Sequence, residues 1–274
     1  MQYALRSKVE AELERLLSLG IISNVETAKV NTTPIVPVLK PSGQVRICGD
    51  FKVSVNQYLD LTQYPLPHIE EVLKRLSGGQ VFSKLDQPDA YLQFELDDGS
   101  KRHVVITTHR GLYRSNSLCF GVSSAPAICQ KIIEQILRPV KGVQPYLDDI
   151  ALKGANLDNH LRILRLVFQN LRQSGVKLKR EKCVFVQPSI KNLRQILSGD
   201  GLRPDPEKVD AVIKAPPPTN REQLESFLGL VQYYARNVPN LSSLAGPLNE
   251  FRKKEVRFEW TQQRQSAYEK IKKN

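Results

Sequence analysis

Asp148 and Asp149 stand side by side after Tyr146-Leu147 and before the apolar run Ile150-Ala151-Leu152. That order predicts a tight hairpin over Gln144 to Leu152 with both carboxylates at its tip. A third acid, Asp86, ends the apolar run Val81-Phe82-Ser83-Lys84-Leu85. Adjacent like charges between apolar flanks oppose folding unless a cation offsets them. Mg²⁺ is a hard ion that prefers carboxylate oxygens. Two such ions, about 3.5–4 Å apart, stabilise the attacking and leaving oxygens of a phosphoryl transfer. Two or three carboxylates on rigid backbone are what that chemistry needs. An Asp-Asp pair is also a common solvated turn, so Tyr-x-Asp-Asp taken alone leaves both readings open.

The surrounding chain is that of an ordinary globular protein. With 274 residues it can bury a sizeable core without disulfides. Forty basic residues against 28 acidic ones give a net charge of +12, which favours a polyanionic partner such as nucleic acid. No apolar run approaches the ~18 residues of a spanning helix, and the N-terminus has no apolar signal core. The expected setting is therefore intracellular, cytoplasmic or nuclear, with no membrane partner. Cys48, Cys119, Cys129 and Cys183 form no C-x-x-C pair and read as reduced.

The elements that must position the acids follow in order. Arg6 to Leu19 predicts an amphipathic helix with the stripe Val9, Leu13, Leu16 and Leu17, stopped at Gly20. Thr33 to Leu39 and Gln44 to Cys48 predict a hairpin around Pro41-Ser42-Gly43. A short helix over Pro67 to Leu76 precedes the strand that ends in Asp86. Strands are expected at His103 to Thr108 and Leu112 to Ser115. A helix with Pro126 at its first position should bury Ile128, Ile132, Ile133 and Ile136. Leu157 to Ser174 predicts a helix closed by Gly175. Short strands are expected over Val176 to Leu178, Val184 to Val186 and Asn192 to Leu197. After Gly201 the chain turns helical: Asp205-Pro206 opens a helix to Ala215, Pro216-Pro217-Pro218 breaks it, Thr219-x-x-Glu222 caps a helix through Tyr234, and Thr261 precedes the last. This predicts mixed α and β over residues 1–198 and a helical, basic remainder over 199–274.

Taken together, the motifs resemble the reverse transcriptases of gypsy-class LTR retrotransposons, and more distantly those of retroviruses. The resemblance rests on an ordered series: Tyr3-Ala4-Leu5-Arg6; Thr33-Pro34-Ile35-Val36-Pro37-Val38; Val45 through Lys52; Gln63-Tyr64-Pro65-Leu66-Pro67; Phe82-Ser83-Lys84-Leu85-Asp86 with Ala90-Tyr91-Leu92-Gln93. It continues through Thr108 to Arg114, Phe120-Gly121, Ala125-Pro126-Ala127, Tyr146-Leu147-Asp148-Asp149-Ile150, Lys179 to Cys183, and Ser226 to Leu230 with Tyr233-Tyr234.

The resemblance implies an α+β right-hand polymerase, fingers and palm in residues 1–198 and a thumb or connection in 199–274, ending about where a ribonuclease H domain would begin. It implies RNA-directed DNA polymerase activity on an RNA or DNA template with primer, using deoxynucleoside triphosphates and two Mg²⁺ ions, with Mn²⁺ as a substitute. Asp86, Asp148 and Asp149 would hold the metals, with the Gln87 carbonyl as a backbone ligand. Arg46 would grip the triphosphate through its planar fork, with Lys40 as a second cation. Asp89 and Ala90 would meet the triphosphate at the backbone, Tyr91 would be the steric gate against a ribose 2′-hydroxyl, and Phe120 and Gly121 would line the nucleotide pocket. Tyr146, Lys177, Lys179, Arg180, Lys182 and Arg194 are the candidate template–primer contacts, sequence-blind and salt-dependent.

Several positions depart from the family pattern. Gln87-Pro88-Asp89 stands where Leu-Ser-Gln is usual, Cys119 where Pro is, and Cys129 where Phe is. Pro145 replaces an apolar residue expected in a central strand, where it would remove a ladder hydrogen bond. Arg194 replaces the glycine of the primer-grip hairpin, where a side chain would hinder backbone approach. These departures define a rival reading, a retroelement-derived remnant that binds nucleic acid with impaired catalysis.

Overall fold

The computed structural model describes residues 3–26, 32–59, 64–233, 240–250 and 258–273. Gln63 and Tyr234, two members of the motif series, lie outside them. The chain divides into two compact units, Met1–Ile190 with Leu197–Gly201, and Lys191–Ile196 with Leu202–Asn274. Among the described residues no helix is long and apolar enough to cross a membrane.

The first unit opens with α1 (Arg6–Ser18), which buries Val9, Leu13 and Leu16 and ends at Gly20, whose positive φ of 69° suits a residue without Cβ. Then follow β1 (Ile22–Val25), β2 (Thr33–Leu39), β3 (Val45–Gly49), α2 (Ile69–Leu76), β4 (Val81–Asp86), α3 (Asp98–Lys101), β5 (Val105–Thr108) and β6 (Gly111–Ser115). α4 (Ala125–Leu137), β7 (Val143–Tyr146), β8 (Asp149–Gly154), α5 (Leu157–Gln173) and β9 (Val184–Gln187) follow. The strands form two sheets, ordered β1-β6-β5-β2-β3 and β7-β8-β4-β9. Each sheet has its own core. Val9, Leu13, Phe51, Tyr113 and Leu118 belong to the first; Leu85, Ile133, Ile150, Leu152, Val167 and Leu171 belong to the second.

Several local expectations are corrected. Val176 to Leu178 forms no strand, because the Gln93 side chain takes its backbone groups: Gln93 Oε1 accepts from Lys177 N–H at 2.7 Å and Gln93 Nε2 donates to Lys177 C=O at 3.2 Å. Asn192 to Leu197 is not one strand. Leu193 and Arg194 turn the chain, with φ of 47° and 57°, between β10 (Ser189–Asn192) and β11 (Gln195–Ser198). The buried face of α4 is Cys129, Gln130, Ile133 and Leu137, rotated from the isoleucine stripe, with Pro126 in its first turn after Ala125. A buried glutamine turns that face toward the β7–β8 hairpin.

After β12 (Gly201–Pro204), the second unit is helical: α6 (Pro206–Ile213), α7 (Arg221–Tyr233), α8 (Leu241–Asn249) and α9 (Gln262–Lys273). Asp205 caps α6 by accepting from Glu207 N–H at 3.2 Å. The cap of α7 is one residue later than expected. Asn220 Oδ1 accepts from Gln223 N–H at 2.9 Å, and Gln223 Oε1 accepts from Thr219 N–H at 2.9 Å, so the side chain that reaches back is that of Gln223 and not Glu222. Leu224, Phe227, Leu248, Tyr268 and Ile271 build this unit's core.

Candidate active site

The three carboxylates meet through the sheet. β7 and β8 form a hairpin closed by the pair Tyr146 and Asp149, leaving Leu147 and Asp148 at the tip. β4 lies antiparallel to β8 with Asp86 directly opposite Asp149. Gln87 N–H donates to the Asp148 carbonyl at 3.0 Å, so all three backbones are neighbours. Side chains alternate along a strand, so Lys84 and Asp86 share one face with Asp149, while Leu85 and Ile150 face the core. On that shared face Lys84 Nζ stands 2.8 Å from Asp149 Oδ2, a diagonal cross-strand pair. Asp148 is exposed.

The local electrostatics fit a cation. Burial pushes the Asp149 carboxyl above the usual range; Lys84 pulls it back, and Asp148 and Asp86 push it up again. Asp86 Oδ1 is buried with no hydrogen-bond partner, while its Oδ2 lies 3.4 Å from Lys182 Nζ. An unpaired buried carboxylate oxygen is costly, and it is the donor a hard divalent ion takes. Among the described residues no group of three His, Cys, Asp or Glu side chains is drawn into a ready metal cage. The backbone brings the acids together; their side chains are not pre-gathered.

The hairpin tip is held from below by a residue that sequence reasoning passed over. Leu147 has a left-handed φ of 55°. Its N–H donates to Gln130 Oε1 at 2.7 Å, and Gln130 Nε2 donates to the Pro145 carbonyl at 2.9 Å. Gln130 is fully buried on α4. Lys84 was also missed, although its two-residue offset from Asp86 already places it on the acids' face.

Pro145 is not in a central strand, contrary to expectation. β7 is the edge of its sheet among the described residues. Lys153 N–H donates to Gly142 O at 2.9 Å, and antiparallel pairs alternate. Counting from that bond, Gly142, Gln144 and Tyr146 occupy hydrogen-bonded positions, and Pro145, opposite Ile150, occupies a non-hydrogen-bonded one. Its missing N–H therefore costs the ladder nothing.

A second cluster adjoins the acids. The Arg46 guanidinium on β3 lies over the Phe120 ring, 4.4 Å from its centroid, and its Nε is buried without a partner. Phe120 packs against Tyr91 at 5.1 Å between centroids. The Tyr91 hydroxyl is raised by burial first, then by Cys129 and Asp148, and lowered by Arg46, so Tyr91 sits between the acids and the guanidinium. Gly121 has φ of 104°, and a Cβ there would stand 2.1 Å from the Gly49 carbonyl oxygen. Ala90 is buried at the start of a short 3-10 turn. Asp89, with φ of 45°, is held by Arg15 Nη2 at 3.1 Å and Lys40 Nζ at 3.3 Å. Lys40 thus reaches the cluster; Arg15 was not foreseen.

Lys177, Lys179, Arg180 and Lys182 are all exposed. Their segment is stitched to the first acid: Lys179 N–H donates to Asp86 O at 2.9 Å, and Asp86 N–H to Cys183 Sγ at 3.4 Å. Tyr146 is half-buried at the end of β7. Arg194 lies in the Lys191–Ile196 segment that belongs to the second unit.

A family model described as reverse transcriptase (RNA-dependent DNA polymerase) matches residues 38–197. The chain belongs to that family. Reverse transcriptases generally use divalent metals, in keeping with the carboxylate set. The Caenorhabditis elegans protein K02A2.6 is 37% identical over 235 residues, covering 85% of this chain and 18% of that protein. The transposon Tf2-3 polyprotein of Schizosaccharomyces pombe is 34% identical over 263 residues, covering 95% of this chain and 20% of the polyprotein. The reverse transcriptase chain thus spans about a fifth of these relatives' length, and the resemblance to gypsy-class retrotransposons holds. Its fold matches the foamy viral protease–reverse transcriptase in complex with double-stranded DNA, with a TM-score of 0.92 at 23% identity over 99% of this chain and 48% of that one. The same viral enzyme in complex with RNA/DNA hybrid aligns with a TM-score of 0.89 at 24% identity, covering all of this chain and 37% of that one. This is the right-hand polymerase fold.

Proposed function

We propose that the chain is the polymerase portion of a retrotransposon polyprotein, an RNA-directed DNA polymerase that adds deoxynucleotides to a primer 3′-hydroxyl on an RNA or DNA template. The observation that carries it is the direct pairing of Asp86 with Asp149 beside Asp148, with Asp86 Oδ1 buried and unpartnered. Asp86, Asp148 and Asp149 would hold two Mg²⁺ ions, with Mn²⁺ as a substitute and the Gln87 carbonyl as an added ligand. Bound there, the ions supply charge stabilisation to the attacking and leaving oxygens.

The chain's own residues do the positioning. Lys84 offsets part of the burial that pushes the Asp149 carboxyl up. Arg46, backed by Phe120, presents a fork to the triphosphate, with Lys40 as the neighbouring cation and the Asp89–Ala90 turn as the backbone cradle. The Tyr91 ring packs against Phe120, and its bulk would exclude a 2′-hydroxyl; Gly121 would line the same pocket. Lys177, Lys179, Arg180, Lys182 and Tyr146 line the approach to Asp86 and hold phosphates without reading sequence, and Arg194 supplies a further cation. Residues 1–198 would serve as fingers and palm, and 199–274 as thumb or connection. The foamy viral complexes with double-stranded DNA and with RNA/DNA hybrid support this choice of partner. The remnant reading is weakened because Pro145 leaves the ladder intact.

Asp148→Asn tests the assignment. Mg²⁺-dependent primer extension should fall by at least about a hundredfold, the scale on which one preorganised electrostatic contact acts. Duplex binding, spread over many phosphate contacts, should be retained. An unchanged extension rate would remove Asp148 from the metal site.

A further inference from the structure

Tyr64 belongs to the Tyr-Pro-Leu-Pro link, a motif to which the polymerase reading gives no task. Its hydroxyl donates to Glu134 Oε2 on α4. The other oxygen of that carboxylate, Oε1, accepts from Gln130 Nε2 at 2.6 Å. Gln130 is the buried amide that takes Leu147 N–H at 2.7 Å and gives to Pro145 C=O at 2.9 Å. The chain of contacts is therefore continuous: Tyr64, Glu134, Gln130, then the turn whose next residue is Asp148. We propose that Tyr64 and Glu134 are positioning residues that lock the Gln130 amide and, through it, the left-handed Leu147 turn that aims Asp148.

Three physical points carry the inference. First, an amide can flip end for end at little intrinsic cost, and only its partners decide which way it points. In the flipped state Gln130 would set an NH₂ against Leu147 N–H and an oxygen against the Pro145 carbonyl. Glu134 accepts only, so it fixes the Nε2 end. Second, Leu147 holds φ of 55°, a conformation a branched side chain keeps only where the surroundings impose it. Gln130 Oε1 is the acceptor that imposes it. Third, Glu134 can itself rotate, and the Tyr64 hydroxyl pins its second oxygen. That hydrogen bond is the largest influence on Tyr64, whose hydroxyl is pushed up to about 12 and so stays a donor at every working pH.

The proposal rests on the polymerase reading for its kinetic arm, and a second arm judges it without that reading. Glu134→Ala should lower kcat about tenfold or more, as loss of an outer support of a metal ligand does. The KM for deoxynucleotides and the template–primer Kd should each move less than about twofold, since neither site is touched. Tyr64→Phe should lower kcat less. Glu134→Gln, which keeps one acceptor oxygen, should fall between the parent and Glu134→Ala. The double variant Tyr64→Phe with Glu134→Ala should be no slower than Glu134→Ala alone, because Tyr64 acts through Glu134. In parallel, amide exchange over residues 143–149 should quicken about tenfold in Glu134→Ala, while exchange in α5 stays at the parent's rate. Additive losses, a loss confined to Kd, unchanged exchange at the turn, or exchange raised equally across the unit would each overturn the proposal. An inactive parent would sink the polymerase reading and leave the exchange at Leu147 to decide the positioning role.

Discussion

Substituting Gly121 by alanine tests the proposed nucleotide pocket most directly. Gly121 follows Phe120, the ring that carries Arg46 and abuts Tyr91. A methyl group at 121 would lie 2.1 Å from the Gly49 carbonyl oxygen, more than an ångström inside ordinary contact. Gly49 cannot retreat cheaply. It is paired opposite Ile35 in β2, and its N–H donates to the Phe120 carbonyl at 3.1 Å. The phenyl ring of Phe51 also covers its α-carbon, where a Cβ would meet that ring at 2.4 Å. A φ of 104° adds strain of about 1–3 kcal/mol for a residue with a Cβ. Overpacking adds about 1–3 kcal/mol, and loss of the Gly49–Phe120 hydrogen bond about 1 kcal/mol. Gly121→Ala should therefore cost about 3–7 kcal/mol, or a melting temperature lower by at least about 6 °C. Gly43→Ala is the control: φ there is 81° with nothing within 4 Å, so only backbone strain of about 1–2 kcal/mol applies. Urea unfolding of both variants, with primer extension at varied deoxynucleotide concentration, gives the answer. Equal destabilisation of the two, with an unchanged KM in Gly121→Ala, would refute the claim that Gly121 is required by its contact with Gly49.

Lys84→Met should move the acid limb of the activity profile to higher pH. Burial already raises the Asp149 carboxyl and Lys84 opposes it, so without Lys84 the group ionises later. The folded state then holds the proton more tightly than the unfolded chain. Stability therefore falls as pH rises from the unfolded pKa to the folded one, over an interval the variant widens; a limb that stays put contradicts the pairing. Tyr91→Val should relax discrimination against ribonucleotides in competitive incorporation, while a lowered melting point with an unchanged ratio would assign Tyr91 to packing alone. Pro145→Val should change kcat less than about twofold, because the position is a non-hydrogen-bonded one on an edge strand; a large gain would show that the proline does distort the site. Arg194→Gly should stabilise by about 1 kcal/mol, since φ of 57° suits glycine, and a urea midpoint that does not rise would count against that strain.

Much of this chain is legible from residue order. The apolar run ending in Asp86 and the Tyr-Leu-Asp-Asp hairpin are local patterns, and a two-residue hairpin forces its own pairing. The stripe of α1 and the glycine at its end were likewise readable, because 3.6-residue periodicity and a left-handed stop are properties of the local chain. Local pattern failed where a distant side chain supplied the decisive partner. Val176 to Leu178 looks like a strand, yet Gln93, far away in sequence, takes its hydrogen bonds. The isoleucines of α4 look like its buried stripe, yet the hairpin below selects the Gln130 face. Pro145 looks like damage until strand order puts β7 at an edge. The residue types and spacing thus determined which chemistry the chain can carry and which short elements bear it. Only the tertiary structure decided the direct opposition of Asp86 and Asp149, the Lys84 pairing and the support of the Leu147–Asp148 turn, because register and side-chain satisfaction are set between segments that the sequence keeps far apart.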